Sequence, residues 1–253
     1  MKYIFYLGVF ILFNFNSYSQ ELKAISSTIT QNSNLAREFC GTDEIHKQKM
    51  KNDSDYRLRH LQTIENIKQA QIESKSSSEI YQVPVVVHVM HKGEEIGVGY
   101  NLSDLEVRAG IEYLNNFWRK MPGTNGDEEG VDMQIEFALA IQDENGDCTN
   151  GINRVNMSDN YDYFNFGVAR YSNGIGISDE SLKEYSRWDP LRYYNIWLVH
   201  EIEGENCDYN NGDFIGGYAY TAGAHGQVYD GTVLLVCSFE DDLNSTFAHE
   251  MGH

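Results

Sequence analysis

Three runs constrain the fold of this 253-residue chain more than any other feature. Val83-Pro84-Val85-Val86-Val87-His88-Val89-Met90 is β-branched almost throughout. Tyr193 to His200 (YYNIWLVH) and Gly231 to Cys237 (GTVLLVC) are nearly continuous apolar stretches. A strand with one face in water alternates apolar and polar residues. A strand without that alternation is covered on both faces, as in a parallel sheet between helices. Between these runs, Asn101-Leu102-Ser103-Asp104 reads as a helix start. Leu105, Ile111, Leu114, Phe117 and Trp118 continue an amphipathic helix to about Lys120, where Met121-Pro122-Gly123 ends it. A second strand is expected over Met133 to Ile141 and a short one over Gly151 to Val155. A short helix is expected over Ser178 to Tyr185, a short edge strand over Gly216 to Tyr220, and a helix from Asn244 onward. This order predicts an α/β fold with a twisted, mixed, five-stranded sheet and helices packed on it. Residues 157–176 are aromatic and Gly/Asn-rich and carry no usable periodicity.

The N-terminal part reads differently. Lys2, an apolar run from Ile4 to Phe13, and Ser17-Tyr18-Ser19 before Gln20 have the form of a secretory signal peptide over 1–19, too short to span a bilayer. Residues 20–80 are polar, with a helix near Tyr56 to Ile72. There Leu58, Leu61, Ile64 and Ile67 recur on one face. Lys75-Ser76-Ser77-Ser78-Glu79 is linker-like. The expected division is a signal peptide over 1–19, a pro-segment and linker over 20–80, and a main domain over 81–253.

Charge and cysteines narrow the function. Acidic residues number 38 and basic residues 19, a net charge of −19. That balance opposes binding to nucleic acid or to an anionic membrane surface, both of which need a basic patch. No other stretch is apolar enough to anchor the chain in a membrane, so a secreted protein is expected. Export permits disulfides among Cys40, Cys148, Cys207 and Cys237. The spacing leaves all three full pairings open and contains no C-x-x-C zinc knuckle.

The chemical signal is His249-Glu250-Met251-Gly252-His253. On a helix, residues four apart share a face, so both imidazoles can grip one ion. Glu250 lies about 100° round from His249, beside the metal, where it can accept a proton as general base. The bland alternative is a chance match on a surface helix. Phe247, Ala248 and Met251 argue against it, since they point to a buried helix, where a glutamate needs a reason. Asp241, Asp242 and Asn244 suit the N-terminus of that helix.

Several pieces in order then resemble the pappalysin-like zinc metallopeptidases of the metzincin clan, in their secreted bacterial form. They are Val83-Pro84-Val85-Val86-Val87-His88-Val89, Leu114-Asn115-Asn116-Phe117, Gly151-Ile152-Asn153-Arg154, Tyr194-Asn195-Ile196-Trp197-Leu198-Val199, Gly217-Tyr218-Ala219-Tyr220 and the terminal helix. The resemblance covers about residues 81–253. It implies a metzincin-like upper catalytic subdomain with a mostly parallel sheet. It also implies an antiparallel edge strand, at Gly217, Tyr218, Ala219 and Tyr220, that binds extended protein or peptide substrates by strand addition. His249 and His253 become Zn2+ ligands and Glu250 the general base of peptide-bond hydrolysis. The family pattern continues as H-E-x-x-H-x-x-G-x-x-H with a Met-turn. The third histidine, the Met-turn and the lower subdomain are not in this chain, so the chain alone is expected to bind zinc weakly and cleave little.

Related proforms also carry a Cys-Gly-Thr like Cys40-Gly41-Thr42, which makes Cys40 a candidate latency switch: its thiolate would fill the open zinc position. The alternative is an ordinary disulfide. If Cys40 is the switch, Cys148 and Cys207 are free to pair between loops, leaving Cys237 buried on its strand. Asp143, Asn145 and Asp147 alternate as in a calcium loop. Cys148 and Arg154 stand where that loop needs glycine and glutamate, so a solvated turn is the preferred reading and calcium the weaker one. His88 and His91 are read as structural, and His200 and His225 as surface or rim residues. Two rivals remain: a zinc hydrolase of another clan with a distant third ligand, and a secreted binding or decoy fragment without activity.

Overall fold

The structure is a computed structural model that describes residues 38–73, 79–127, 129–171, 173–208, 213–240 and 245–253. The signal peptide, the first part of the pro-segment, most of the linker and Asp241 to Asn244 lie outside the described residues.

The central sheet is built on β2 (Tyr81–His91). Its Val85 to Met90 are buried without alternation, as the β-branched run requires. Parallel to it on one side runs β7 (Tyr194–Val199), followed by β9 (Thr232–Leu235), also parallel. On its other side β3 (Ile135–Leu139) pairs with Tyr81 to Val85 and β4 (Ile152–Asn156) with Val87 to His91. These two short strands share one position, end to end. β8 (Phe214–Ala219) closes the far edge antiparallel to β9. The main body therefore has five sheet positions, mostly parallel, with one antiparallel edge. A further strand, β1 (Glu38–Cys40), comes from the N-terminal segment and adds to β8 in parallel.

Helices cover the sheet. α3 (Asp104–Trp118) starts at a capping box. Ser103 accepts from the Glu106 amide and the Glu106 carboxylate accepts from the Ser103 amide, which satisfies two otherwise free donors. Val107, Ile111 and Leu114 of α3 join Val85, Val87, Ile196, Leu198, Leu234 and Phe247 in the core of one face. The other face is closed by Tyr56, Met90, Met157, Tyr163, Leu182 and Trp197. The stretch 157–176 supplies α4 (Tyr161–Phe166) and β5 (Val168–Ala169), which pairs with β6 (Ile177–Ser178). α5 (Asp179–Glu184) follows. In the N-terminal segment α1 (Thr42–Asn52) precedes α2 (Ser54–Glu73). Leu58, Leu61, Ile64 and Ile67 lie on an exposed face of α2.

The run Gly231 to Cys237 is not strand throughout. β9 stops at Leu235, and α6 (Val236–Glu240) begins there. This turn carries Cys237 off the sheet to a partly buried position, where it is bonded to Cys207 with the Cα atoms 6.4 Å apart. The expected Cys148–Cys207 pair is therefore not formed. Cys148 is exposed on the loop between β3 and β4 and is free, as is Cys40. His200, expected at the surface or rim, is buried at 2% exposure, with its ring against Tyr163 and Tyr100.

Candidate metal centre and cleft

The short helix α7 (Thr246–Glu250) packs beneath the sheet through Phe247, Ala248 and Met251. Its last turn tightens, with the Gly252 amide on the His249 carbonyl and the His253 amide on the Glu250 carbonyl. Glycine at 217 permits its close approach to β8. A Cβ there would meet Leu234 Cδ2 at 2.6 Å, the Val233 carbonyl at 3.0 Å and Glu250 Cγ at 3.1 Å. The small residues of the edge strand thus let the helix that carries His249, Glu250 and His253 sit directly under it.

His249 Nε2 and His253 Nε2 lie 3.2 Å apart, and Cys40 Sγ is 3.3 Å from His253 Nε2. The ligand atoms of Cys40, His249, Glu250 and His253 all fall within 4.8 Å of one another. The donor set fits zinc. Two nitrogens bound tetrahedrally at 2.0–2.1 Å stand about 3.4 Å apart, and two imidazoles with a thiolate are an ordinary zinc environment. Glu250 is fully buried, and its Oε1 has no hydrogen-bond partner among the described residues, an orphaned acceptor that a cation would satisfy. Burial, with the Cys40 sulfur beside it, pushes the Glu250 carboxyl up to about 9. A bound cation pulls such a value down again. Burial and the neighbouring His253 push the His249 imidazole down, which favours the neutral form that binds metals.

The N-terminal segment fills the outer side of the edge strand. Cys40 stands opposite Gly217, and the Gly41 amide donates to the Gly217 carbonyl at 2.9 Å. Thr42 Oγ1 accepts from the Ala219 amide at 2.9 Å and lies 3.0 Å from the Ala219 carbonyl and 3.2 Å from Glu250 Oε2. One hydroxyl hydrogen serves only one of the two acceptors. The Thr42 hydroxyl therefore donates alternately to the Ala219 carbonyl and to the Glu250 carboxylate. Cys40-Gly41-Thr42 thus reaches the metal-ligand atoms, the edge-strand backbone and Glu250 together.

Of the edge-strand residues, Gly217 and Ala219 face this segment through their backbones. Tyr218 and Tyr220 turn inward and donate to the two oxygens of buried Asp179, at 2.9 and 3.0 Å. Lys183, fully buried, pairs with Asp179 at 3.0 Å and donates to the Tyr229 carbonyl at 2.7 Å. Sequence reasoning named Thr42 only within Cys40-Gly41-Thr42, without a role, and missed Asp179 and Lys183. The i, i+4 spacing of Asp179 and Lys183 was a signal for a pair, but such a pair usually sits in solvent. Asp143 caps its own turn by accepting from the Asn145 and Asp147 amides, each at 2.9 Å, which is the solvated-turn geometry. His88 is buried, and its Nε2 donates to Asn195 Oδ1 at 2.9 Å. His225 is exposed.

No family model matches the sequence, and no curated protein matches it. Solved structures do. A point mutant of Tannerella forsythia promirolysin is similar with a TM-score of 0.55 at 25% identity, over 85% of this chain and 68% of that chain. Mature Tannerella forsythia mirolysin in complex with a cleaved peptide gives 0.49 at 26% identity, over 70% of this chain and 63% of that chain. Mirolysin in complex with compound 9 gives 0.48 at 25% identity, with the same coverages. The chain thus spans about two-thirds of the length of the mirolysin chains it matches. The promirolysin likeness establishes the mixed α/β fold and supports a relationship to the metallopeptidases.

Proposed function

We propose that this chain carries the metal-binding part of a zinc-dependent endopeptidase of the pappalysin kind, made as a secreted precursor. The observation that carries the reading is a convergence. Cys40, His249, Glu250 and His253 bring their ligand atoms within 4.8 Å of one another, beneath an antiparallel edge strand whose outer side is already occupied by the N-terminal segment. The match to promirolysin supports the precursor form. Residues 81–253 make up about two-thirds of the chain, so a match over 85% of it must include part of the segment before residue 81.

His249 and His253 would hold the ion, which when bound supplies an electrophilic centre that acidifies water and polarises a peptide carbonyl. Glu250 takes a proton on its carboxylate and returns it to the leaving amine. The β8 backbone, freed of β1, orients an extended peptide by main-chain hydrogen bonds at Gly217 and Ala219. In the precursor Cys40 supplies a third donor, and Thr42 engages both Glu250 and the Ala219 backbone. The expectation of weak zinc binding therefore changes for the intact chain, which has three donors in reach.

The test uses the intact protein with Co2+ in place of zinc. A thiolate-to-cobalt charge-transfer band in the near ultraviolet is expected, lost in Cys40→Ala, while His249→Ala abolishes tight metal binding. Casein cleavage is expected only after release of the N-terminal segment, and at a low rate, since release takes away Cys40 and leaves two histidine donors. Sub-stoichiometric metal in the intact chain, together with no cleavage after release, would sink the reading.

A further inference from the structure

Arg170 lies just beyond β5, on the body of the protein, with its side chain 7% exposed. Its Nε and Nη2 make a two-point pair with the Glu203 carboxylate at 3.1 and 2.9 Å. Glu203 holds this position in the left-handed region, at φ +57, which is strained for a non-glycine residue. The backbone is kept there by the Glu203 amide bond to the Val168 carbonyl at 2.8 Å. A forked pair fixes the guanidinium plane. The remaining nitrogen, Nη1, then has one direction to point. It reaches the Gly41 carbonyl at 3.4 Å and Glu44 Oε2 at 3.3 Å. The neighbouring Tyr171 hydroxyl donates to that same Glu44 oxygen at 3.2 Å.

Both acceptors belong to the N-terminal segment and both donors to the body. The donors also stand beside the path of a strand docked on β8. Gly41 is hydrogen-bonded to Gly217, and a Cβ on Gly41 would meet Arg170 Cδ at 2.9 Å and Ile215 Cγ2 at 3.2 Å. That spacing leaves room for glycine alone at this point, so an acidic side chain reaches the guanidinium from a neighbouring position, as Glu44 does from three residues on. The adjoining cleft between α1 and the body, about 370 Å³, is lined by Arg170, Tyr171 and Glu180 of the body and by Lys49 of the N-terminal segment, which pairs with Glu180.

We propose that Arg170 and Tyr171 form a carboxylate-binding subsite of the peptide cleft, occupied in this structure by Glu44, which selects peptides with an Asp or Glu side chain beside the β8 edge. This rests on the reading of β8 as a peptide-binding strand. If Arg170 were only an anchor for the N-terminal segment, an added peptide would show no acidic preference.

The test compares peptides that differ only by Glu or Gln, placed at each position in turn, as competitors of the N-terminal segment in the zinc-loaded full protein cut once in its 74–78 linker, so that buried Ile45 and Tyr56 stay in place until peptide displaces them. At one position Glu is expected to raise kcat/KM roughly tenfold through KM, as one charge-assisted contact would. Arg170→Gln brings the Glu/Gln ratio close to one. Tyr171→Phe, which removes only the hydroxyl and keeps the ring, lowers it about threefold. The same peptides, fluorescently labelled, are titrated by anisotropy into the Glu250→Gln protein, which reads binding without turnover. A Glu preference in binding without any cleavage by the unsubstituted protein keeps the subsite and sinks the peptidase reading. Cleavage or binding with no Glu preference, or a preference that survives Arg170→Gln, overturns the subsite. Neither binding nor cleavage overturns both.

Discussion

Lys183→Met tests whether the edge strand is pinned from behind by a buried ion pair. The Lys183 side chain has no exposure and Asp179 has 3%. The ammonium sits 3.0 Å from Asp179 Oδ1, bonds the Tyr229 carbonyl, and lies over the Trp197 and Tyr220 rings, with 5.0 and 4.6 Å to their centroids. Burial pushes the Lys183 pKa down and Asp179 opposes that shift. Methionine fills nearly the same volume, so the loss is electrostatic and not a cavity. Breaking a buried pair by removing one partner costs about 3–5 kcal/mol. Asp179 keeps the Tyr218 and Tyr220 hydroxyls, so about 3 kcal/mol is the expected cost, near the low end of that range. For a protein of this size that is about 6–12 °C in Tm. Asp179→Asn should cost a similar amount by stranding the ammonium. The double variant should cost less than the sum by about 2 kcal/mol, because neither charge is then left alone. Urea unfolding followed by tryptophan fluorescence, with m values compared, measures all three. A Lys183→Met variant within 1 kcal/mol of the parent, or strict additivity, would refute the reasoning.

Three further outcomes follow from other contacts. Gly217→Ala should cost about 1–3 kcal/mol and weaken metal binding, because its Cβ meets the Val233 backbone and wedges β8 from Glu250; unchanged metal affinity in a zinc titration would contradict this. His88 is held neutral by burial, its pKa pushed down to about 4, and it donates to Asn195. The unfolded chain then binds more protons than the folded one below pH 6.5. The His88 contribution to stability is flat above that value and falls by roughly 3 kcal/mol as pH drops from 6.5 to 4. Denaturant titrations at pH 7, 5.5 and 4.5 would show it, and His88→Gln should make that part of the curve shallower, the rest coming from buried His200, whose pKa is pushed down to about 3. Finally, the non-reduced peptide map should contain a Cys207–Cys237 link and a free Cys148. Cys237→Ser should cost about 3–4 kcal/mol, since the bridge closes a loop of 30 residues' separation.

Much of this molecule is legible in its sequence. The buried strands follow from unbroken β-branched and aliphatic runs, because local composition already records that both faces of β2, β7 and β9 are covered. Ser103 and Ser178 mark the starts of α3 and α5 through side-chain caps, a local interaction readable from adjacent residues. The spacing of His249 and His253 places them on one face by the helix period alone. What the sequence could not carry are contacts between residues far apart in the chain. Cys40 reaches His253 across 213 positions, a contact that only the family resemblance and no local pattern implied, and Thr42 reaches Glu250 across 208. Cys237 meets Cys207 and not Cys148 because β9 ends two residues early and the chain turns. Asp179 and Lys183 have the spacing of an ordinary surface pair, yet the packing of Trp197, Tyr218 and Tyr220 removes both from water. Local periodicity decides which faces of each element are apolar. Only the packed sheet decides which edge the N-terminal segment covers, and which charges it leaves without solvent.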